Sequence, residues 1–285
     1  MKILIYGSRG WIASYLISEL LSNDYEICEG GRADDEENVC KDLDEHKPTH
    51  VLSLIGRTHG EGFTTIDYLE QPGKLQENIR DNLYGPFVLA QECKKRDIHF
   101  TYFGTGCIFN GDKTYTEEDK PDFFGSSYSI VKGFTDRIMH TFNDSVLNIR
   151  IRMPITNDLH PRNFITEITT YEKVCSIPNS MSVLPVLLPY LVKLMEDKHV
   201  GTINFTNPGV ISHNEILEMY KIIVDPDFTW KNCTKEEEQK TLLSRRSNNH
   251  LDTKKIEDIF PDIPNITISI CECLFKMTTF LGFNS

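Results

Sequence analysis

The chain has 285 residues, of which 39% are hydrophobic and 25% are charged, and its formal net charge is −12 at pH 7. This length suits one large α/β domain, alone or with a smaller lobe. The acidic balance argues against a broad surface for nucleic acid or anionic membranes. No apolar run approaches the ~18 residues of a transmembrane helix. Because a strand is predicted from residue 2, we expect no signal peptide and a cytoplasmic protein.

The N-terminus predicts a strand, a glycine turn and a helix. Residues 2–6 form an apolar run typical of a buried strand, and apolar residues recur at helical spacing from Tyr15 onwards. Between them lies a Gly-x-x-Gly-x-x-Ala motif. In this context the amides of the first helical turn bind the phosphates of a dinucleotide. We therefore predict a nicotinamide cofactor, bound by Gly7, Ser8, Arg9, Gly10, Trp11 and Ile12.

The end of the second predicted strand, residues 25–28, bears on the choice of cofactor. A carboxylate at this position binds the ribose 2′-hydroxyl of NAD, whereas an arginine accommodates the 2′-phosphate of NADP. Arg32 lies near this place, and Glu29 precedes it. We predict NADPH, with NADH as the alternative, and Arg32 as an ordinary solvated residue if the prediction fails.

Strands and helices then alternate along the chain. Strands are predicted at 50–56, 98–103 and 146–151, and helices at 79–93 and 128–142. This alternation predicts a Rossmann-like α/β fold with a doubly wound parallel sheet. We expect the Rossmann domain to cover 1–155 and to continue at about 183–206. Residues 156–182 and 207–285 are predicted to form a smaller C-terminal substrate-binding lobe.

Three residues predict carbonyl chemistry. Tyr128 and Lys132 are four residues apart on a predicted helix and so share one face. An ammonium beside a phenol lowers the pKa of the phenol, which suits proton transfer to a carbonyl oxygen. Thr105 falls where the strand 98–103 ends, the edge at which parallel sheets bind ligands, and Cys107 follows it.

The eight cysteines and nine histidines show no metal-binding pattern. No Cys-x-x-Cys pair occurs, and Cys271 and Cys273 are too close in sequence for an ordinary metal site. We therefore expect reduced thiols and no metal.

Together the motifs resemble an extended short-chain dehydrogenase/reductase. Within that superfamily, four strings are similar to the bifunctional UDP-4-keto-6-deoxyglucose 3,5-epimerase/4-reductases of UDP-L-rhamnose synthesis. They are Gly-Trp-Ile (10–12), Thr-Gly-Cys-Ile-Phe (105–109), Arg-Met-Pro-Ile (152–155) and Pro-Arg-Asn-Phe-Ile-Thr (161–166). The resemblance spans about residues 2–262. Ala13 departs from it, since the family usually has glycine there, and loop 57–71 does not align well.

The resemblance implies roles for further residues. Cys107 and Lys173 match the positions of the family's epimerisation residues. Asn82 resembles the helix asparagine that supports the active site and its cofactor, and Asn163 and Arg246 match contacts to the UDP part. The resemblance also implies a UDP-sugar substrate, a separate 4,6-dehydratase that supplies it, and a homodimer.

Two other functions stay open. A monofunctional 4-keto-reductase, similar to dTDP-4-dehydrorhamnose reductase, would keep Thr105, Tyr128 and Lys132 and make no use of Cys107 or Lys173. A non-catalytic NADP-binding regulatory subunit would be expected to lose the tyrosine and lysine. Single residues also have plain alternatives: a buried apolar role for Cys107, a helix polar role for Asn82, solvation for Lys173 and a surface ion pair for Arg246.

Overall fold

The computed structural model describes residues 1–111 and 113–282. The strands are β1 (Lys2–Tyr6), β2 (Glu26–Glu29), β3 (His50–Ser53), β4 (His99–Thr105), β5 (Thr114–Tyr115), β6 (Val146–Ile151), β7 (Pro154–Ile155), β8 (Ser182–Val183), β9 (Gly201–Asn204) and β10 (His250–Leu251). The helices are α1 (Trp11–Ser22), α2 (Glu36–His46), α3 (Lys74–Ile79), α4 (Gly85–Lys95), α5 (Ser127–His140), α6 (Phe164–Thr169), α7 (Leu184–Glu196), α8 (His213–Ile223), α9 (Lys235–Gln239), α10 (Lys254–Ile259) and α11 (Ile266–Gly282). No helix in these two ranges is long and apolar enough to cross a membrane.

Six strands form one parallel sheet in the order β2-β1-β3-β4-β6-β9. The inner strands β3, β4 and β6 and the edge strand β9 are buried along their whole length, as expected when helices cover both faces. The strand order reverses between β1 and β3, so the ligand crevice is expected at the carboxyl ends around that point. The predicted Rossmann-like doubly wound sheet is confirmed.

The predicted helix 79–93 is divided by a π-helical turn at Arg80–Tyr84, between α3 and α4. Pro86 has no N–H with which to bond the carbonyl of Asn82 one turn earlier. The Thr135 hydroxyl of α5 bonds that carbonyl instead, at 2.7 Å. The wide turn is therefore held by a neighbouring helix, and π turns of this kind often occur at functional sites.

Three large apolar clusters build most of the core, and a small fourth one contains Ile108, Phe109, Tyr115 and Leu251. One packs α1 and α7 against a face of the sheet, and a second packs α2 and α4 against the other face. The third lies among α6, α8 and α11, in the segments predicted as the lobe. One segment departs from that division. Ile256 and Ile263 join the first cluster and Lys255 Nζ donates to the Thr202 carbonyl at 2.7 Å, because α10 covers the edge strand β9.

Candidate active site

The end of β4 forms a tight turn that presents a hydroxyl and a thiol at the carboxyl edge of the sheet. The Cys107 amide donates to Thr105 Oγ1 at 3.1 Å, and the Gly106 amide donates to the Ile151 carbonyl at 3.0 Å. Thr105 is buried, whereas Cys107 is partly exposed. The Thr105 oxygen accepts from the backbone, and the Thr105 hydroxyl also hydrogen-bonds the phenol of Tyr128.

Helix α5 brings Tyr128 to this turn. Ser126 caps the helix, its hydroxyl accepting from the Ser129 amide at 3.0 Å, so Tyr128 falls in the first turn. Burial and the nearby Cys107 raise the pKa of the Tyr128 phenol, and hydrogen bonding by Thr105 opposes this. The sequence-based expectation of a lowered tyrosine pKa is therefore wrong for this structure. Tyr128 is a protonated phenol near neutral pH, which makes it a proton donor.

Lys132 lies one turn further along α5 and is buried. Its ammonium donates to the Tyr102 hydroxyl and, at 3.3 Å, to the Phe103 carbonyl. Burial lowers the pKa of Lys132 to about 7, although Asp136 and Cys107 oppose the shift. In the described ranges no hydrogen bond joins Lys132 to Tyr128, so its effect on the phenol is not through direct contact. The predicted contact to the cofactor ribose stays a prediction.

The glycine turn after β1 has the geometry of a phosphate cradle. Gly7 has φ +85°, and a Cβ there would lie 2.9 Å from the carbonyl carbon of Leu54. Gly10 is the N-cap of α1 and brings no capping side chain, and helical bonding begins with the Ser14 amide to the Gly10 carbonyl at 3.1 Å. The amides of the first turn are thus left to an anion.

Cationic side chains surround that turn. A cavity of about 350 Å³ is lined by Arg9, Gly10, Trp11, Ser14, Asp158, His160 and Arg162. Trp11 stacks on His160 at 5.1 Å between ring centroids, so the segment after β7 closes one side of the cavity. The Trp11 indole N–H is buried, with no hydrogen-bond partner in the described ranges. These groups fit the pyrophosphate of a dinucleotide, which is consistent with the roles predicted for residues 7–12.

Arg32 lies where the 2′-phosphate of NADP was predicted, and its guanidinium is engaged there. It pairs with both Asp34 oxygens, at 2.7 and 2.9 Å, and lies 3.7 Å from Asp81. Arg80 approaches the same two carboxylates, at 3.6 and 2.8 Å. A phosphate at this place would meet two guanidinium groups, and it would have to compete with two carboxylates.

Asn82 positions the backbone at the site. Its side chain is fully buried, accepts from the Arg57 amide at 3.0 Å and donates to the Arg57 carbonyl at 2.9 Å and to Asn78 at 2.8 Å. It therefore fixes the chain just after β3, at the predicted ligand crevice. Both side-chain amide protons of Asn82 are used within the protein. This agrees with a structural role in holding the active site, and direct binding of the cofactor by Asn82 stays a prediction.

Lys173 lies on an exposed segment beyond α6. The adjacent Val174 pairs with the backbone of 231–233. Burial raises the pKa of the Cys233 thiol, and the Lys173 charge opposes that shift in part. No hydrogen bond or ion pair links Lys173 to Thr105, Cys107 or Tyr128 in the described ranges. The structure therefore brings Cys107 to the predicted site, and the epimerisation role of Lys173 stays a prediction.

Asn163 and Arg246 have structural partners. Asn163 is fully buried as the N-cap of α6, and its amide bonds four backbone groups, of Thr156, Asp158 and Ile165, at 2.7–3.3 Å. All its bonding capacity is used, so the predicted direct contact to the nucleotide is not supported. Arg246 pairs with Asp67 at 3.3 Å, which is the ion pair held open as its alternative.

Loop 57–71, which the resemblance left unaligned, is fastened at both ends. Asn82 holds Arg57, and Asp67 accepts from the Ser244 amide at 3.0 Å as well as from Arg246. Gly60 lies so close to the Tyr68 ring that a Cβ would approach it to 2.2 Å. The loop thus connects the carboxyl edge of the sheet to the segment 244–246.

Four further residues, which the sequence did not single out, lie next to Lys132 or to the turn 105–107 after β4, called the catalytic turn from here on. They are Tyr102, Asp136, Arg150 and Arg152. Asp136 accepts from two nitrogens of Arg150, Nε and Nη2, at 2.8 Å, and Arg152 donates to the Gly106 carbonyl at 3.1 Å. Arg150 and Arg152 lie within or next to the predicted strand 146–151. A charged residue in a strand covered on both faces must be buried with partners, and this signal was readable in the sequence.

Comparisons with known proteins agree with this geometry. Residues 1–170 match the RmlD substrate binding domain. The crystal structure of the L780 UDP-rhamnose synthase from Acanthamoeba polyphaga mimivirus is 52% identical, covers 97% of this chain and 99% of that chain, and has a TM-score of 0.96. A bifunctional dTDP-4-dehydrorhamnose 3,5-epimerase/dTDP-4-dehydrorhamnose reductase of Arabidopsis thaliana is 40% identical over 96% of this chain and 93% of its own length.

A longer protein of Arabidopsis thaliana also matches. It is a trifunctional UDP-glucose 4,6-dehydratase/UDP-4-keto-6-deoxy-D-glucose 3,5-epimerase/UDP-4-keto-L-rhamnose-reductase, 42% identical over 97% of this chain. The match takes 42% of that protein's length. These relatives match almost the whole length of this chain, which confirms the resemblance seen in its sequence to the bifunctional epimerase/reductases. Since the family model matches residues 1–170, the chain belongs to the RmlD substrate binding domain family and, within it, to the bifunctional epimerase/reductases.

Proposed function

We propose that this chain converts UDP-4-keto-6-deoxy-D-glucose to UDP-L-rhamnose by 3,5-epimerisation and NADPH-dependent reduction of the 4-keto group. The observation that carries the proposal is the convergence of Thr105, Cys107 and Tyr128 at the end of β4. One carbonyl oxygen bound at this turn meets two hydroxyl donors, and the carbons beside it meet a thiol.

Epimerisation follows from the acidity of the protons at C3 and C5, which are α to the ketone. Removing either proton leaves an enolate whose negative oxygen accepts from the Thr105 and Tyr128 hydroxyls. Inversion then needs a base on one face of the sugar and an acid on the other. Cys107, at the turn, and Lys173, on the exposed segment beyond α6, are the proposed pair, since thiols and amines both exchange protons near neutral pH when their pKa values are depressed.

Reduction uses the same oxygen. The raised pKa of Tyr128 keeps its phenol protonated, so Tyr128 gives its proton to O4 as the alkoxide forms. A bound nicotinamide supplies the hydride to C4. Lys132, with a pKa of about 7, holds a charge close to the phenol without a direct bond to it. Because both reactions depend on polarising one C4 oxygen, a single site serves them in turn.

NADPH is proposed over NADH because Arg32 and Arg80 lie together beyond β2. Arg32→Ala is expected to raise the KM for NADPH about tenfold and to leave the KM for NADH nearly unchanged. Equal effects on both cofactors would contradict the assignment of Arg32 to the 2′-phosphate.

The direct test incubates the protein with UDP-4-keto-6-deoxyglucose and NADPH in D₂O and reads the product by proton NMR. UDP-L-rhamnose carrying deuterium at C3 and C5 is the expected product. A reduced sugar that keeps protons at both carbons would leave the monofunctional reductase, and no NADPH oxidation would favour the regulatory subunit. Cys107→Ala should abolish deuterium entry, whereas Cys271→Ala, at a partly exposed thiol on α11, should not.

Three further parts of the proposal concern the protein's surroundings. Its substrate is supplied by a separate 4,6-dehydratase, a proposal supported by the relative whose name joins a UDP-glucose 4,6-dehydratase to the epimerase and reductase. It acts in the cytoplasm. It forms a homodimer through the helices around α3 and α5, where large apolar side chains are exposed: Leu75, Ile79, Tyr84 and Phe134.

The homodimer is tested by light scattering of the Ile79→Glu/Phe134→Glu variant. We expect the wild type to have the mass of a dimer and the variant that of a monomer, because each charge would be buried at the contact. Ile222→Glu, at an exposed position on α8, is the matched control. A monomeric wild type, or a variant that stays dimeric, would exclude this face as the contact.

A further inference from the structure

Arg152 is a buried cation without a counter-charge. It follows β6 and is 1% exposed. Its guanidinium donates to neutral acceptors: Asn179 Oδ1 at 2.6 Å, the Ser247 carbonyl and hydroxyl at 3.0 and 3.3 Å, the Gly106 carbonyl at 3.1 Å and the Ser180 carbonyl at 3.3 Å. Among residues 1–111 and 113–282 no carboxylate lies within ion-pair distance of it. Burying a charge without a counter-ion costs folding free energy, which indicates that this arginine has a function other than stability.

Arg150, two residues earlier, shows what the usual arrangement looks like. It is also buried, and Asp136 accepts from its Nε and Nη2 atoms at 2.8 Å. The two arginines thus differ in charge balance and not in burial. Arg150 is neutralised in place, whereas the charge of Arg152 acts on whatever lies nearby.

The catalytic turn lies directly against Arg152. Its guanidinium bonds the Gly106 carbonyl, which belongs to the peptide that joins Gly106 to Cys107. A Cβ on Gly106 would lie 2.8 and 2.9 Å from Cγ and Cδ of Arg152, so the arginine stem packs against the backbone of the turn. Burial lowers the pKa of Arg152, and the nearby Cys107 opposes that shift. The guanidinium and the thiol are therefore electrostatic neighbours.

Three ionisable groups are coupled to Cys107: Tyr128 and Lys132 from α5, and Arg152 from the chain after β6. Tyr128 is uncharged near neutral pH because its pKa is raised. Lys132 loses its proton around a pKa of about 7. Of the three, Arg152 is the one whose charge persists over the whole neutral and mildly alkaline range.

We propose that Arg152 is a positioning residue whose permanent buried charge stabilises the thiolate of Cys107 at the catalytic turn. The catalytic meaning of this rests on the proposed function, in which Cys107 exchanges a substrate proton. Thiol ionisation itself can be measured without substrate, so a failure of the proposal and a failure of the proposed function are distinguishable.

The test follows alkylation of Cys107 by iodoacetamide from pH 6 to pH 10, quantified by mass spectrometry of the Cys107 peptide. Arg152→Gln is expected to move the alkylation midpoint up by about one pH unit or more, and Arg152→Lys to hold it near the wild-type value. Cys28, on β2, serves as the internal reference thiol. The Asp136→Asn/Arg150→Gln double variant removes a buried arginine with no change of net charge, and should leave the midpoint in place.

An unchanged midpoint in a folded Arg152→Gln protein would overturn the proposal, as would an equal shift in the double variant. If Arg152→Gln does not fold, the salt dependence of Cys107 alkylation in the wild-type protein tests the proposal. A buried cation is poorly screened, so the midpoint should hold between low salt and about 1 M NaCl, where the Debye length is ~3 Å. A clear rise of the midpoint with salt would mean that surface charges stabilise the thiolate, and would equally refute the role of Arg152.

Discussion

Lys132→Met should stabilise the folded chain at neutral pH while removing reductase activity. Burial lowers the pKa of Lys132 from 10.5 to about 7. A difference of about 3.5 pH units, at ~1.4 kcal/mol per unit, is a penalty of at most about 5 kcal/mol at pH 7. Replacement also loses bonds to Tyr102 and Phe103, each ~1–1.5 kcal/mol. The expected net gain is about 2 kcal/mol.

The pH dependence of this gain is the sharper part of the prediction. Between pH 7 and pH 10.5 the unfolded chain keeps a proton on Lys132 that the folded chain has lost. The unfolded state then binds more protons, so wild-type stability rises with pH. The advantage of Lys132→Met should therefore be full below pH 7 and should fall by ~1.4 kcal/mol per pH unit above it.

Urea unfolding of both proteins at several pH values from 6.5 to 9.5 measures this difference, because all other titrating groups are common to the pair. Lys193→Met, at an exposed lysine of α7, should show no comparable trend. A gap that stays constant with pH, or a variant less stable than wild type at pH 7, would refute the reasoning. It would mean that Lys132 is held charged by its neighbours.

Three other substitutions test the site. Gly7→Ala should cost about 2 kcal/mol and weaken NADPH binding in a fluorescence titration, because φ is +85° and Leu54 leaves no room. Gly209→Ala, with φ +94° and a Cβ that would lie 3.6 Å from Ile266 Cγ2, should keep cofactor affinity. Asp136→Asn should cost about 3 kcal/mol in thermal unfolding by leaving Arg150 unpaired, against less than ~0.5 kcal/mol for Asp258→Asn in an exposed pair. Asn163→Ala should cost ~1–2 kcal/mol by removing a cap and leave the KM for the UDP-sugar unchanged; a raised KM with unchanged stability would restore the predicted substrate contact.

The parts of the site that were predictable depend on local pattern. Gly7 and Gly10 lie between a continuous apolar strand and a segment whose apolar residues recur at helical spacing. This pattern predicts the position of a phosphate-binding turn to within a few residues. Thr105 and Tyr128 were predictable because a strand end and a helix start fix where each side chain lies. Asn163 was predicted to contact the nucleotide, and this stays a prediction. An asparagine before Phe164 and Ile165 is also a helix N-cap signal, and the structure shows Asn163 in that role.

The unpredicted parts depend on contacts between distant segments. The Lys132 ammonium donates a hydrogen bond to Tyr102, thirty residues earlier in the chain. This bond directs the ammonium away from Tyr128, its neighbour on the same helix. The direction of the Tyr128 pKa shift followed from burial, which spacing along one helix does not reveal. The ion pair of Arg246 with Asp67 joins residues 179 positions apart in the chain. Helical spacing therefore placed Tyr128 and Lys132 on one helix, and it misjudged the ionisation of Tyr128.

The distribution of buried charge gives these observations a common cause. The chain carries a net charge of −12, yet the interior around the catalytic turn holds Lys132, Arg150 and Arg152 against the carboxylate of Asp136. Asp136 forms its ion pair with Arg150. Lys132, on α5, and Arg152, after β6, are then the cations whose charge acts on the turn. Both proposed reactions develop negative charge there, on an enolate oxygen or an alkoxide. A site of low dielectric that is already positive needs little reorganisation to stabilise that charge, and the stability lost in burying two cations is the expected cost of such preorganisation.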